Sequence, residues 1–283
     1  MIYQLKKAVG YYKAHGVRDE FKAMDYTQAE LFSSATPSKK VYGFIDNTHL
    51  VDIKNQYREN SCGPHGTSSS TEVKLSKILG VKCTIDAVTV WNGMLSSKMA
   101  TEENGTRLSY PLDFMRKNWT PFKTEDGRSG KVMVDFYYTV DKNFDAINKE
   151  IHEGGAVITG YSSFRGLDVA KARLNPYIIS NTKERRQDGH LMGRAGTVRL
   201  PNGKRGTKEI NSWGNRWGDD GCCYTEEEDL GNTFTVYGFT IKYKMDDKKN
   251  KTLFETKESR RKRILAWKRK NKGKTVKERK AIK

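Results

Sequence analysis

The chain has 283 residues, 36% of them hydrophobic, and a formal net charge of +18. That is enough apolar material for one good core or two modest lobes. No stretch approaches the ~20 consecutive apolar residues of a membrane helix, so no membrane span is expected. The start, Met1-Ile2-Tyr3-Gln4-Leu5-Lys6-Lys7, lacks an apolar signal core, which argues against secretion by that route. Four cysteines, two of them adjacent at Cys222 and Cys223, do not make a disulfide scaffold and suit a reducing, cytoplasmic compartment. The charge is uneven: residues 248–283 carry 17 Lys and Arg against 3 Glu, a net +14, which leaves only +4 for residues 1–247.

In chain order, residues 1–40 read as a helical N-terminal extension. Ile2, Leu5, Val9 and Tyr12 recur near helical spacing, and Thr27-x-x-Glu30 fits a capping box before Leu31 and Phe32. Residues 41–56 alternate loosely and read as extended chain. A helix is expected from Cys62, with Pro64 tolerated in its first turn. The small residues Thr67 to Thr71 are poor helix formers but permit close packing. Ile85 to Leu95 and Leu112 to Lys117 are further short helical candidates, so residues 41–130 form a mainly helical lobe. From 131 to 247 the pattern changes. Val132 to Val140 is strand-like, and Phe144, Ile147 and Ile151 mark a helix ending at Gly154-Gly155. Ala156 to Tyr161, His190 to Leu200, Lys208 to Ser212 and Thr233 to Tyr243 read as strands. Arg165 to Gln187 reads as a polar surface loop.

The segment with most chemistry is Asn211-Ser212-Trp213-Gly214-Asn215-Arg216-Trp217-Gly218-Asp219-Asp220-Gly221. An amide buried beside indole rings is costly without a fixed partner. The natural partner is an imidazole needing orientation, and His190 lies upstream. Further upstream, Gln56-Tyr57-Arg58-Glu59-Asn60-Ser61-Cys62 places a thiol at the start of the expected helix. Gln56, Cys62, His190 and Asn211 then read as oxyanion donor, nucleophile, base and the base's orienter. Trp213 and Trp217 would support the site by shielding it from water.

The Asn-Ser-Trp-Gly-x-x-Trp-Gly-x-x-Gly run resembles the Asn-containing signature of papain-like cysteine peptidases. The six-residue spacing of Gln56 and Cys62 and the order Gln, Cys, His, Asn are also similar to that family. The resemblance covers roughly residues 40–245. It implies an α+β fold of two lobes, the helical one carrying the Cys and an antiparallel β-rich one carrying the His and Asn, with the active cleft between them. It implies a peptide or protein substrate and no cofactor. There are departures: no cysteine stands just before the nucleophile, and Gly63-Pro64 follow it where the family has other residues. A shifted register would put His65 at the nucleophile position and leave the protein inert. Cys62-x-x-His65 with Cys222 and Cys223 could nominally ligate zinc, although adjacent cysteines suit a tetrahedral site poorly.

Residues 248–283 contain Arg260-Arg261-Lys262-Arg263 and Lys268-Arg269-Lys270 around Trp267. Such a block cannot bury enough apolar surface to fold alone, and it reads as a disordered tail suited to nucleic acid or another polyanion. A second function class follows: a catalytically inactive papain-like scaffold in a nucleic-acid-associated protein. A virus or phage particle is one setting for either reading.

Overall fold

The structure, a computed structural model, describes residues 42–162, 178–179 and 189–246. The expected N-terminal helix, the basic tail and most of the 165–187 loop lie outside them.

Helix α1 (Cys62–Leu79) is the centre of the molecule. Every residue from Gly63 to Ser76 is buried, so it has no polar face of the kind a surface helix shows. Its first turn admits Pro64, where no intrahelical donor is lost. It ends at Gly80, whose φ of 66° is left-handed and whose N–H returns to the Ser76 carbonyl. The small residues of the 67–71 stretch let neighbours approach from all sides. Two short helices, α2 (Ala87–Ser96) and α3 (Tyr110–Lys117), pack against α1. Asp86 caps α2 by accepting from the Val88 N–H, and Pro111 sits in the first turn of α3.

The strands are β1 (Ile45–Asp46), β2 (Cys83–Ile85), β3 (Ala100–Thr101), β4 (Gly105–Thr106), β5 (Thr120–Thr124), β6 (Ser129–Thr139), β7 (Val157–Ser162), β8 (Ile178–Ile179), β9 (Gly189–Arg199), β10 (Arg205–Ile210), β11 (Cys222–Glu226) and β12 (Thr235–Met245). Helix α4 (Phe144–Gly154) precedes β7 and is capped by Asn143. Ten strands make one sheet in the order β2-β5-β6-β12-β7-β9-β10-β11-β8, with β1 added on β9. The pairings whose direction is recorded are antiparallel except β8 with β11. The architecture is therefore α+β, as expected.

Some elements differ from the sequence reading. The 41–56 segment is not simply extended, because the 3-10 turn Thr48–Leu50 interrupts it. Strands β2, β5 and β11 were not anticipated, being short and lacking clear alternation. Ile178–Ile179 pairs in parallel with Tyr224 and Thr225, within a stretch read as plain loop.

Close approach of α1 to the sheet depends on two glycines. A Cβ on Gly66 would lie 2.5 Å from Leu191 Cδ2 and 3.0 Å from the Leu191 carbonyl oxygen. One on Gly193 would lie 2.7 Å from Ser70 Oγ. With both absent, the helix lies against β9 and its N-terminus arrives where β9 begins. Behind this contact Val51, Val73, Ala156, Ala195, Ile210 and Cys222 form a buried apolar cluster. Among the described residues no helix is long and apolar enough to cross a membrane.

Candidate active site

Cys62 is the first residue of α1 and is half-buried. Burial by itself pushes its thiol up, since the thiolate loses hydration. That is outweighed by a hydrogen bond to His190, by the charge of that ring and by the backbone N–H groups of Leu191 and Gly63, so the thiol is held below its ordinary range. The N-terminal end of a helix adds a favourable field for an anion there.

His190, the second residue of β9, is only 6% exposed. Burial would lower its pKa, but hydrogen bonds with Cys62 and Asn211 and the sulfur's charge raise it above the ordinary histidine value. Its Nε2 lies 2.8 Å from Asn211 Oδ1. That same oxygen accepts from the Ser212 backbone N–H at 2.7 Å. A backbone N–H can only donate, so the amide atom is the oxygen, and the ring nitrogen facing it must carry a proton. This leaves Nδ1 to face the sulfur. The orientation and tautomer of the imidazole are thus set by a carboxamide that is itself fixed by the next peptide group.

Asn211 follows β10 directly, and its own N–H donates to the Gly221 carbonyl at 3.0 Å. The segment between them folds back as a tight loop. Gly214 has φ +81° and Gly218 φ +60°, and a Cβ on Gly218 would meet the Cys222 carbonyl oxygen at 2.2 Å. The glycines of the signature are therefore required by backbone shape. Trp213 stacks obliquely on His190 with centroids 4.8 Å apart, and Trp217 meets Trp213 edge-on at 5.3 Å. Trp213 thus lies against the ring, and Trp217 backs Trp213.

Gln56 is held against this loop. Its N–H donates to the Ser212 carbonyl at 2.8 Å, and the Gly214 N–H donates to Lys54 at 2.9 Å, so the two segments are stitched together. The side chain is held at both ends: Oε1 accepts from Ser212 Oγ at 2.6 Å, and Nε2 donates to the Glu59 carbonyl at 2.7 Å. One amide proton of Gln56 has no part in these contacts. Ser212, unremarked in the sequence reading, therefore serves both sides, through its backbone to Asn211 and its hydroxyl to Gln56. Its position inside the signature was the available signal.

His65 is buried, with Nδ1 2.8 Å from the carbonyl of Ser61, the residue just before its helix. It is Cys62, not His65, that meets His190. Cys83, Cys222 and Cys223 are buried free thiols, as is half-buried Cys62 a free one. Among the described residues no group of three or more His, Cys, Asp or Glu could hold a metal ion. The zinc set is dispersed, with Cys222 packed beside Ile210 and Cys223 beside Met192.

The arrangement defines a class: the chain has the papain-like fold, with a thiol at the head of the central helix, an imidazole on β9 and a carboxamide just past the end of the neighbouring β10. Among solved structures it is similar to procathepsin B S9 from Trypanosoma congolense (TM-score 0.57, 13% identity, 72% of this chain and 79% of that one). It is similar to digestive procathepsin L 3 of Tenebrio molitor larval midgut (0.56, 14%, 72% and 71%). It is also similar to xylellain, a cysteine protease from Xylella fastidiosa (0.57, 15%, 85% and 98%). No protein-family model matches the sequence, and no curated protein matches it.

Proposed function

We propose that the chain is a papain-like cysteine endopeptidase that hydrolyses peptide bonds through an acyl-enzyme on Cys62. The observation that carries this reading is the hydrogen-bonded series Cys62–His190–Asn211, with the thiol held low and the imidazole held high. The Cys62 thiolate attacks the scissile carbonyl, and His190 gives its Nδ1 proton to the leaving amine. His190 then takes a proton from water, whose oxygen releases the acyl group from sulfur. The free amide proton of Gln56 and the Cys62 backbone N–H bind the oxyanion. Asn211 holds the ring in plane throughout, and Trp213 and Trp217 keep water from the bond between them.

The division into a Cys-bearing helical part (41–130) and a His- and Asn-bearing β-rich part (131–247) belongs to the same proposal, as does a reducing, cytoplasmic setting. The test is turnover of a broad peptide library together with labelling by an epoxide thiol inhibitor. Wild type should turn over and be labelled on Cys62, and Cys62→Ala should do neither. Equal turnover by both proteins removes the nucleophile.

The +14 charge of residues 248–283 favours a second element. Arg260, Arg261, Lys262, Arg263, Lys268, Arg269 and Lys270 would bind nucleic acid or another polyanion without base readout. This would tether the peptidase, in a virus or phage particle for example, near substrates on the same polymer. If Cys62 proves unreactive, the tail and an inactive papain-like scaffold become the function.

A further inference from the structure

Next to the His190–Asn211 bond, β9 and β10 hold a second polar pair that the chemistry above does not use. Arg194 and Glu209 stand directly opposite one another in the strand register, and both side chains are 0% exposed. Arg194 Nε donates to Glu209 Oε1 at 2.7 Å, and its Nη2 donates to Tyr161 Oη at 2.7 Å. Thr207 Oγ1 donates to the same Glu209 oxygen at 2.6 Å, and Tyr161 Oη lies 3.2 Å from Thr225 Oγ1. These side chains come from β7, β9, β10 and β11, four consecutive strands of the sheet. Among the described residues the other titratable groups that feel the pair's charges are Cys222 and Cys223 of β11.

Two features tie this network to the site. In a pleated strand alternate residues share a face, so His190, Met192 and Arg194 line up, as do Glu209 and Asn211. Met192 fills the space between, packed with Tyr161, Trp217 and Cys223 against Trp213. The second feature is an irregularity: the β9–β10 register shifts between Lys208 and Glu209. Beyond that shift only two rungs remain, Glu209 with Arg194 and Ile210 with Gly193, before Asn211. A one-residue slip in so short a ladder would turn Asn211 away from His190.

A buried ion pair is a poor source of stability, because desolvating two charges offsets their attraction, and an apolar pair of similar volume often does as well or better. Its best-attested use is to fix register. We propose that the Arg194–Glu209 pair, anchored on Tyr161, is a positioning device that locks β10 against β9 past the irregularity. Asn211 then meets His190, and the ring stays on Cys62. This rests on the peptidase reading above.

The test replaces the pair by apolar residues, Arg194→Met with Glu209→Leu, which leaves net charge unchanged. Readouts are the thermal midpoint and the pH dependence of Cys62 alkylation by iodoacetamide, which needs no substrate. In wild type the acid limb of alkylation should lie well below that of a free thiol, ~8.5. In the double variant the midpoint should be kept, while the limb moves up, and at pH below the limb alkylation drops about tenfold for each unit by which the pKa rises. A variant limb that coincides with a low wild-type limb overturns the inference and leaves the peptidase reading intact. A wild-type limb at the free-thiol position removes that reading, and the inference with it. Should the double variant not fold, Tyr161→Phe decides by the same readout: a smaller upward shift supports the inference, and none overturns it.

Discussion

The head of α1 and strand β11 present the same functional group in opposite states. At the head of α1, Cys62 is half-buried yet its thiol is held below the ordinary range, because an imidazole and two backbone N–H groups face it. In β11, burial pushes Cys222 up to about 12 and Cys223 well above the usual thiol value. Glu209 also raises both, and Arg194, although near Cys223, does not offset burial. Burial opposes ionisation in both places. What separates them is whether donors converge on the sulfur, so ease of ionisation here is a property of the partners.

Mutation of the thiols themselves tests this contrast most directly. Cys62→Ala should lower kcat/KM by at least ~10⁴-fold, the scale on which loss of a nucleophile acts. Cys83→Ala and Cys222→Ala should stay within about twofold in kcat/KM while losing some stability as small cavities open. Peptide turnover and thermal unfolding of the three variants distinguish these outcomes. If Cys222→Ala were the inactive one, the assignment of the reactive thiol would be wrong.

Next in size is Gln56, the proposed oxyanion donor. Gln56→Ala should reduce kcat about 10²–10³-fold, yet Cys62 should still be alkylated at close to the wild-type rate, because Gln56 does not stabilise the thiolate. Equal losses in both assays would show that Gln56 holds the site together and does not act on the transition state. Asn211→Ala should cost about 10- to 100-fold in kcat/KM, the worth of a buried hydrogen bond to a charged group. Unlike Gln56→Ala, it should also slow alkylation at acid pH.

The pH profile follows from the two shifts. Cys62 is an acid with a lowered pKa, so the thiolate persists into more acid solution than a free thiol's and is lost only as pH falls through that lowered value. His190 is a base with a raised pKa, so its proton is available up to and beyond the ordinary histidine value and is lost as pH rises through the raised one. A bell-shaped kcat/KM with its acid limb below ~8.5 and its alkaline limb above ~6.5 is expected. A single ascending limb near that of a free thiol would contradict the ion pair.

The smallest effects concern the surroundings. Gly193→Ala should destabilise by about 1–3 kcal/mol, the usual cost of overpacking, since its Cβ would arrive 2.7 Å from Ser70 Oγ. Denaturant unfolding measures this, and an unchanged midpoint would mean that α1 can shift without cost. Removing residues 248–283 should leave peptide turnover within about twofold while abolishing retention on heparin, since charge contacts of this kind act on affinity alone.

How far the sequence reached depended on the kind of signal. The signature from Asn211 to Gly221 was legible because its glycines and tryptophans answer to backbone shape and ring packing within one short loop. The helix from Cys62 was legible through Pro64 in its first turn, despite the poor helix formers Thr67 to Thr71, and β6, β7 and β12 through their β-branched and aromatic residues. Strands β2, β5 and β11 were not, because each is five residues or fewer and is defined by its neighbours' hydrogen bonds. The parallel pairing of Ile178–Ile179 with β11 was hidden for the same reason.

The candidate residues Gln56, Cys62, His190 and Asn211 were all readable in the chain, since their types and spacing carry chemical meaning without coordinates. Their electrostatic state was not. That the sulfur is held low, that Asn211 presents its oxygen, and that Ser212 ties the Gln56 side to the Asn211 side depend on groups brought together from 54 to 222. So does the burial of Arg194 against Glu209, which in the sequence are one ordinary cation and one ordinary anion fifteen positions apart. Residue types and local backbone preferences are written in order along the chain, whereas donors converging on one atom are a property of distance in space, and only the folded sheet and helix set those distances.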